Sequence, residues 1–184
     1  MSNSSVVLAP QRPVRSSGKP IAIVVGIALG VRLLLAVYVL CHLGPAWFFS
    51  RGSEMGFLAD SLLHGKGLAS PFGVPTGPTA IVTPAYPMLV SGVFWVLGSY
   101  SNASALCLML SNVLCNTATV YLIYQLSRSI ASEGPALVVA LFWALSLPLI
   151  WMPTIFWETS LSTLLLIGTI WFCLLYTSPS PRDS

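Results

Sequence analysis

Apolar residues dominate four stretches of the chain, 20–43, 104–126, 135–151 and 157–172, and polar residues gather between them. Runs of about 17–25 residues with few or no charges predict helices that cross a bilayer. The first run is interrupted by a single charge, Arg32, near its middle. An arginine at that depth costs roughly 2.5–3.5 kcal/mol on insertion scales, so it is expected to face protein, water or an anionic ligand. Snorkelling to the surface is the competing reading. The second run carries Asn112 and Asn116 one helical turn apart, with Thr117 and Thr119, a polar face suited to joining helices. The third is expected to start near Pro135, a good first-turn residue, and to run unbroken to Trp151. Pro153 and Thr154 predict a short turn before the fourth run, which reaches at least Phe172.

Residues 44–100 break the pattern with many glycines and prolines and with Arg51, Glu54, Asp60, His64 and Lys66. Met55, Leu58, Ala59 and Leu62 recur at helical spacing behind Ser53, a fair N-cap. They predict a short amphipathic helix on the membrane surface that ends at Gly65, Lys66 and Gly67. A turn-rich segment follows from Pro71 to Thr83, and Pro84-Ala85-Tyr86-Pro87 then opens an apolar run ending at Leu97-Gly98. Residues 88–97 make about 15 Å of helix at 1.5 Å per residue, half of the roughly 30 Å hydrocarbon core, so this run predicts an interfacial or re-entrant helix.

Composition agrees with a bilayer as the solvent. Of 184 residues 55% are hydrophobic and 7% charged, against about 25% charged in soluble domains. Arg12, Arg15 and Lys19 precede the first run and Arg128 follows the second, which places the N-terminus in the cytoplasm and the 44–100 loop outside. Residues 1–19 read as a disordered leader, and the apolar run behind them is too long for a cleavable signal. No basic and aromatic patch suits nucleic acid. Cys41, Cys107, Cys115 and Cys173 show no metal-ligand spacing and read as lipid-compatible side chains. The expected fold is thus an all-α integral membrane protein. It has about four transmembrane helices and a long first external loop holding the amphipathic and interfacial helices. No internal repeat and no soluble domain is visible, nor do the runs show a broken helix.

The end of the chain, Cys-Leu-Leu-Tyr-Thr-Ser-Pro-Ser-Pro-Arg-Asp-Ser from Cys173 to Ser184, resembles one reading frame through a transposase adapter used in sequencing libraries. On that resemblance 173–184 is an artefact and the natural frame continues elsewhere; a genuine polar tail is the alternative.

Carboxylates are scarce. Outside the tail they are Glu54, Asp60, Glu133 and Glu158, and the topology places all but Glu133 at the external surface. With Arg51, His64 and Lys66 they form a polar face above a membrane slot containing Arg32. A carboxylate there is able to deprotonate an acceptor hydroxyl, and cations to hold a phosphate leaving group. Each has a plain reading too. Glu54 and Glu158 fit first-turn acids that meet a helix dipole, and Asp60 with His64 fits an i,i+4 pair on a solvated face. No Ser-His-Asp order, phosphate-binding glycine loop or HExxH is present.

The stretch Glu54-Met-Gly-Phe-Leu-Ala-Asp-Ser-Leu-Leu-His-Gly-Lys-Gly, followed by Gly-Pro-Thr-Ala and Pro-Ala-Tyr-Pro, resembles the first external loop of GT-C membrane glycosyltransferases. The likeness is to the bacterial branch related to protein mannosyltransferases and the aminoarabinose transferases of lipid A. It covers about residues 20–172 on short motifs. The family acid is usually aspartate; the matching neighbourhood here offers Glu54. The resemblance implies Glu54 as catalytic base and Glu158, in the loop between the third and fourth spans, as a second acid. Arg32, Arg51, Asp60, His64, Lys66 and Tyr86 are then substrate-binding candidates. It further implies a polyprenyl-phosphate sugar donor, a lipid, glycan or protein acceptor, inverting transfer on the periplasmic side of a bacterial inner membrane, and in some relatives a divalent metal. The chain alone is expected to be inactive. The rival readings are a lipid or solute transporter and a non-catalytic membrane subunit.

Overall fold

The structure is a computed structural model that describes residues 18–177, all helix and connecting turns among the described residues apart from one isolated bridge, Ala69 with Pro78. The helices are α1 (Gly18–Tyr38), α2 (Gly44–Ser50), α3 (Ser53–Leu63), α4 (Ala85–Leu97), α5 (Asn102–Arg128), α6 (Glu133–Leu145), α7 (Leu147–Trp151) and α8 (Thr159–Thr177). Three helical stretches are long and apolar enough to cross a membrane: Gly18–Ser50, Asn102–Arg128 and Thr159–Tyr176. A bent pair, Glu133–Leu145 and Leu147–Thr154, raises these to four when it is counted as one broken span. Their outward faces are apolar; Leu34 is 74% exposed and Phe142 75%. Apolar surface on that scale suits lipid, not water.

α5 is the central helix, and α1, α6 and α8 pack around it. Small residues let the backbones approach: Ala136, Ala140 and Ala144, one turn apart along α6, are fully buried with Ala28 of α1 and Val120 of α5. A second core lies toward the other end of the bundle, where Phe48, Phe49, Phe94 and Phe156 meet Tyr86 and Val90. Phe156 is its hub, with ring centroids 5.2 Å from both Phe48 and Phe49 and 6.1 Å from Tyr86. It joins the segment before α8 to α2 and α4.

The sequence expectations need five corrections. The first helix does not stop at Leu43: one π turn, Val39–Leu43, carries it into α2 and on to Ser50. Pro45 lacks an N–H to donate and is tolerated in the first turn of α2, where none is needed. Helix also begins at Gly18, so Gly18 and Lys19 are not leader; residues 1–17 lie outside the described residues. The N-cap of α3 is Gly52 at φ +132°, not Ser53, which is already helical. The third span is not continuous. It bends by 57° between α6 and α7, because Ser146 is extended and Pro148 cannot continue the hydrogen-bond ladder. The expectation that no helix is broken therefore fails. The fourth helix starts at Thr159, two residues later than expected, with the carbonyl of Glu158 accepting from the Ser162 amide at 2.8 Å. Cys173–Thr177 continue α8, and the tail beyond lies outside the described residues.

Other expectations hold. α3 ends at Gly65, where the Lys66 amide donates to the Ser61 carbonyl and the Gly65 amide to Leu62, the double bond of a left-handed helix stop. α4 is 13 residues long, too short to span, and packs on α3.

Candidate functional site

The candidate side chains collect at one end of the bundle, where α2, α3, the start of α4, α7 and the start of α8 meet. The Phe156 amide donates to the Arg51 carbonyl at 3.1 Å, which ties the turn after α2 to the segment before α8. Gly52 sits in that crossing, and a Cβ there would run into the Phe156 carbonyl oxygen. Only glycine meets both the positive φ and the lack of space.

Three clefts open around this junction, and the candidates divide among them. The first, about 620 Å³, lies between α3 and the returning loop 68–80. Asp60, His64 and Lys66 line it, together with Ser61, whose Oγ is buried without a hydrogen-bond partner. Two backbone bonds close the loop, Ser70 amide to Gly77 carbonyl at 3.1 Å and Thr79 amide to Leu68 carbonyl at 2.9 Å. His64 Nδ1 lies 3.6 Å from the Asp60 carboxylate and 2.8 Å from its carbonyl oxygen. The expected i,i+4 pair is thus present, and it also forms a cleft wall.

The second cleft, about 240 Å³, holds Arg51 and Glu54 beside Ile155 and Trp157. No ion pair joins Arg51 to Glu54; the guanidinium lies over the Trp47 ring, 5.2 Å from its centroid. Glu54 is in the first turn of α3, where the helix dipole favours a carboxylate. The third cleft, about 300 Å³, lies between α4 and α8 and is lined by Tyr86 and Glu158. Glu54 and Glu158 therefore share an end of the molecule but not a cleft.

Tyr86 is buried, 1% exposed, and its hydroxyl donates to Asn112 Oδ1 at 3.4 Å. Burial raises its pKa above the ordinary value, while the Asn112 hydrogen bond opposes that shift and the nearby Glu158 adds to it. Asn112 in turn donates to the carbonyls of Pro153 and Ile155 at 3.4 and 3.2 Å. It thereby pins the turn that carries Phe156 and Glu158.

Arg32 is elsewhere. It is fully buried and does not snorkel. Nε donates to Asn116 Oδ1 at 2.8 Å, Nη1 to the carbonyls of Ala28 and Ala144 at 3.0 and 3.1 Å, and Nη2 to Trp143 at 3.5 Å. The last two acceptors are carbonyls at the end of α6, so Arg32 caps the bend. Asn112 and Asn116 join elements as expected of the polar face of α5, while Pro148 is the structural residue that the sequence reading passes over. The Pro148 signal was present, since a proline inside an apolar run predicts a break near the preceding residues.

Among the described residues no group of three or more His, Cys, Asp or Glu is placed to hold a metal ion. Cys41, Cys107 and Cys115 form no disulfide. A further cleft, about 420 Å³, lies at the opposite end between α1 and α5, and among the described residues no charged side chain lines it. Comparison with protein-family models, with curated proteins and with solved structures gives no match to this chain.

Proposed function

We propose that this chain forms the membrane module of a glycosyltransferase acting on a polyprenyl-phosphate sugar. The observation that supports it most directly is the cleft holding Arg51 and Glu54, a cation and a carboxylate side by side without an ion pair between them. Both remain available to a substrate. Arg51 holds the donor phosphate, and Glu54 takes the proton of the acceptor hydroxyl as its oxygen bonds to the anomeric carbon. The bond from that carbon to the phosphate oxygen breaks, its electron pair leaves with the phosphate, and the sugar inverts. His64 and Lys66, in the neighbouring cleft, supply further donors to the sugar phosphate. The basic residues before α1 favour a cytoplasmic N-terminus in a bacterial inner membrane, with these clefts facing the periplasm.

The test is photo-labelling of the chain in proteoliposomes with a polyprenyl-phosphate probe, together with sugar transfer from a labelled donor measured in a full-length enzyme that carries this module. Saturable labelling should map to the peptide carrying Arg51 and Glu54 and fall in Arg51→Ala. Glu54→Gln should slow transfer by about 10²–10⁴-fold, the usual contribution of a general base. Transfer at the normal rate by Glu54→Gln would remove the base assignment, and labelling that unlabelled polyprenyl phosphate does not compete would remove the donor.

A transporter is the second reading, and one observation favours it: the 57° break between α6 and α7, since transporters bind solutes at broken helices. The carbonyls freed at this break are occupied by Arg32, which makes it a capped bend and not an open site.

A further inference from the structure

Glu158 presents a carboxylate that the protein does not satisfy. Its carboxylate accepts no hydrogen bond from a described residue, and its Oε2 is shut off from solvent without a partner. Enclosed polar atoms of this kind are few in folded proteins, and a carboxylate pays more for the lack of a donor than a neutral group. Glu158 also lines the cleft between α4 and α8 and, among the described residues, is its only charged side chain. Leu161, Ser162 and Leu165 line it too, at i+3, i+4 and i+7 from Glu158, and so form one face of α8. Seven residues at 1.5 Å each put Leu165 about 10 Å along the helix axis from Glu158. The opposite wall is Thr83 and the start of α4, Ala85 and Tyr86.

The cleft thus has a polarity along its length: an anionic, hydroxyl-bearing mouth at the end of the spans, and an aliphatic floor along a helix whose apolar stretch is only 6% buried. We infer that it is a binding site for a phospholipid with a primary ammonium headgroup. The ammonium donates to the Glu158 carboxylate, the lipid phosphate accepts from the Thr83 and Ser162 hydroxyls, and the first methylenes of an acyl chain lie on Leu161 and Leu165. An anionic lipid is disfavoured because Glu158 repels it and no cation among the described residues lines the cleft. A trimethylammonium headgroup is disfavoured because it has no N–H to give the carboxylate. The inference rests on this cleft alone and stands or falls apart from the glycosyl-transfer reading.

Native mass spectrometry of the purified chain, titrated with phosphatidylethanolamine, phosphatidylcholine and phosphatidylglycerol, tests it. Phosphatidylethanolamine should bind about tenfold more tightly than either other lipid, the scale of one charge-assisted hydrogen bond. Glu158→Gln should remove that preference while leaving the thermal midpoint near that of the parent chain. Leu165→Trp, which fills the floor and leaves the carboxylate, should also weaken phosphatidylethanolamine, and it serves where Glu158→Gln fails to fold. Equal binding of phosphatidylglycerol or phosphatidylcholine, an undiminished preference in Glu158→Gln, or displacement by free ethanolamine at the same concentration would each overturn the site. So would a dimer mass accompanied by loss of bound lipid.

Discussion

Arg32 Nη1 lies 3.1 Å from the carbonyl oxygen of Ala144, and that carbonyl is the one whose helical partner would be the amide of Pro148. Proline has no amide hydrogen, so the ladder of the third span leaves Ala144 unsatisfied in a region without water. The guanidinium replaces the missing donor, reaches Trp143 as well, and brings a positive charge to the negative end of α6. One side chain thus answers both the backbone defect and the electrostatics of a bent span, and Asn116 of the central helix orients it.

Removing that cap should be costly. Arg32→Met is expected to destabilise the bundle by about 2–4 kcal/mol, since each buried acceptor left without a donor costs about 1–3 kcal/mol. Arg32→Lys should recover only part, because one ammonium cannot span the acceptors that the planar fork reaches. Unfolding in mixed micelles followed by circular dichroism reads the loss.

Pro148→Ala supplies the missing amide and should straighten the 57° bend. Spin labels on α6 and α7, measured by double electron–electron resonance, should move apart. The double variant with Arg32→Met should then lose less than the sum of the single changes, with a coupling of about 0.5–3 kcal/mol. Strict additivity would show that Arg32 does not serve the break.

At Gly52 the crossing of the turn after α2 with the Phe156 backbone leaves no room for a side chain. Gly52→Ala is expected to cost about 1–3 kcal/mol from strained backbone alone and to separate α3 from the segment before α8. Limited proteolysis should then cut between residues 51 and 53, where the parent chain resists.

Phe156 joins three elements through its ring. Phe156→Ala should lower stability by about 3–5 kcal/mol and Phe156→Leu by much less, as expected for a cavity in a packed core. Both are read by the same micelle unfolding curve.

Tyr86 gives a pH dependence. Its folded pKa is raised, chiefly by burial, above the ordinary value near 10. Stability from this group is therefore complete below about pH 10 and is lost as the pH climbs from there toward the folded value. Unfolding midpoints across that interval should fall more steeply for the parent chain than for Tyr86→Phe.

Much of the architecture was legible along the chain, because long apolar runs have few alternatives once no water is present to satisfy a backbone. The ends of α5, the short α4 and the stop at Gly65 follow from local rules of length and left-handed turns. The continuation of α1 through Leu43 into α2 was not legible, since Gly44 and Pro45 resemble a terminator and one π turn absorbs them. Nor was the division of the acids. Glu54 and Glu158 are both external on the positive-inside reading, yet nothing in their spacing says that they line different clefts.

By itself the sequence determined that the chain is built of apolar helices, three or four of them long enough to cross a membrane, and the end of the bundle at which most of its candidate charges gather. These follow from hydropathy and from turn chemistry, which act over a few residues. Only the tertiary structure decided what Arg32 does, because its partners lie 84 and 112 positions away and include backbone atoms that carry no sequence signature. The same holds for Glu158: whether an external acid is satisfied depends on which helices enclose it, and α4 and α8 meet only in the folded chain.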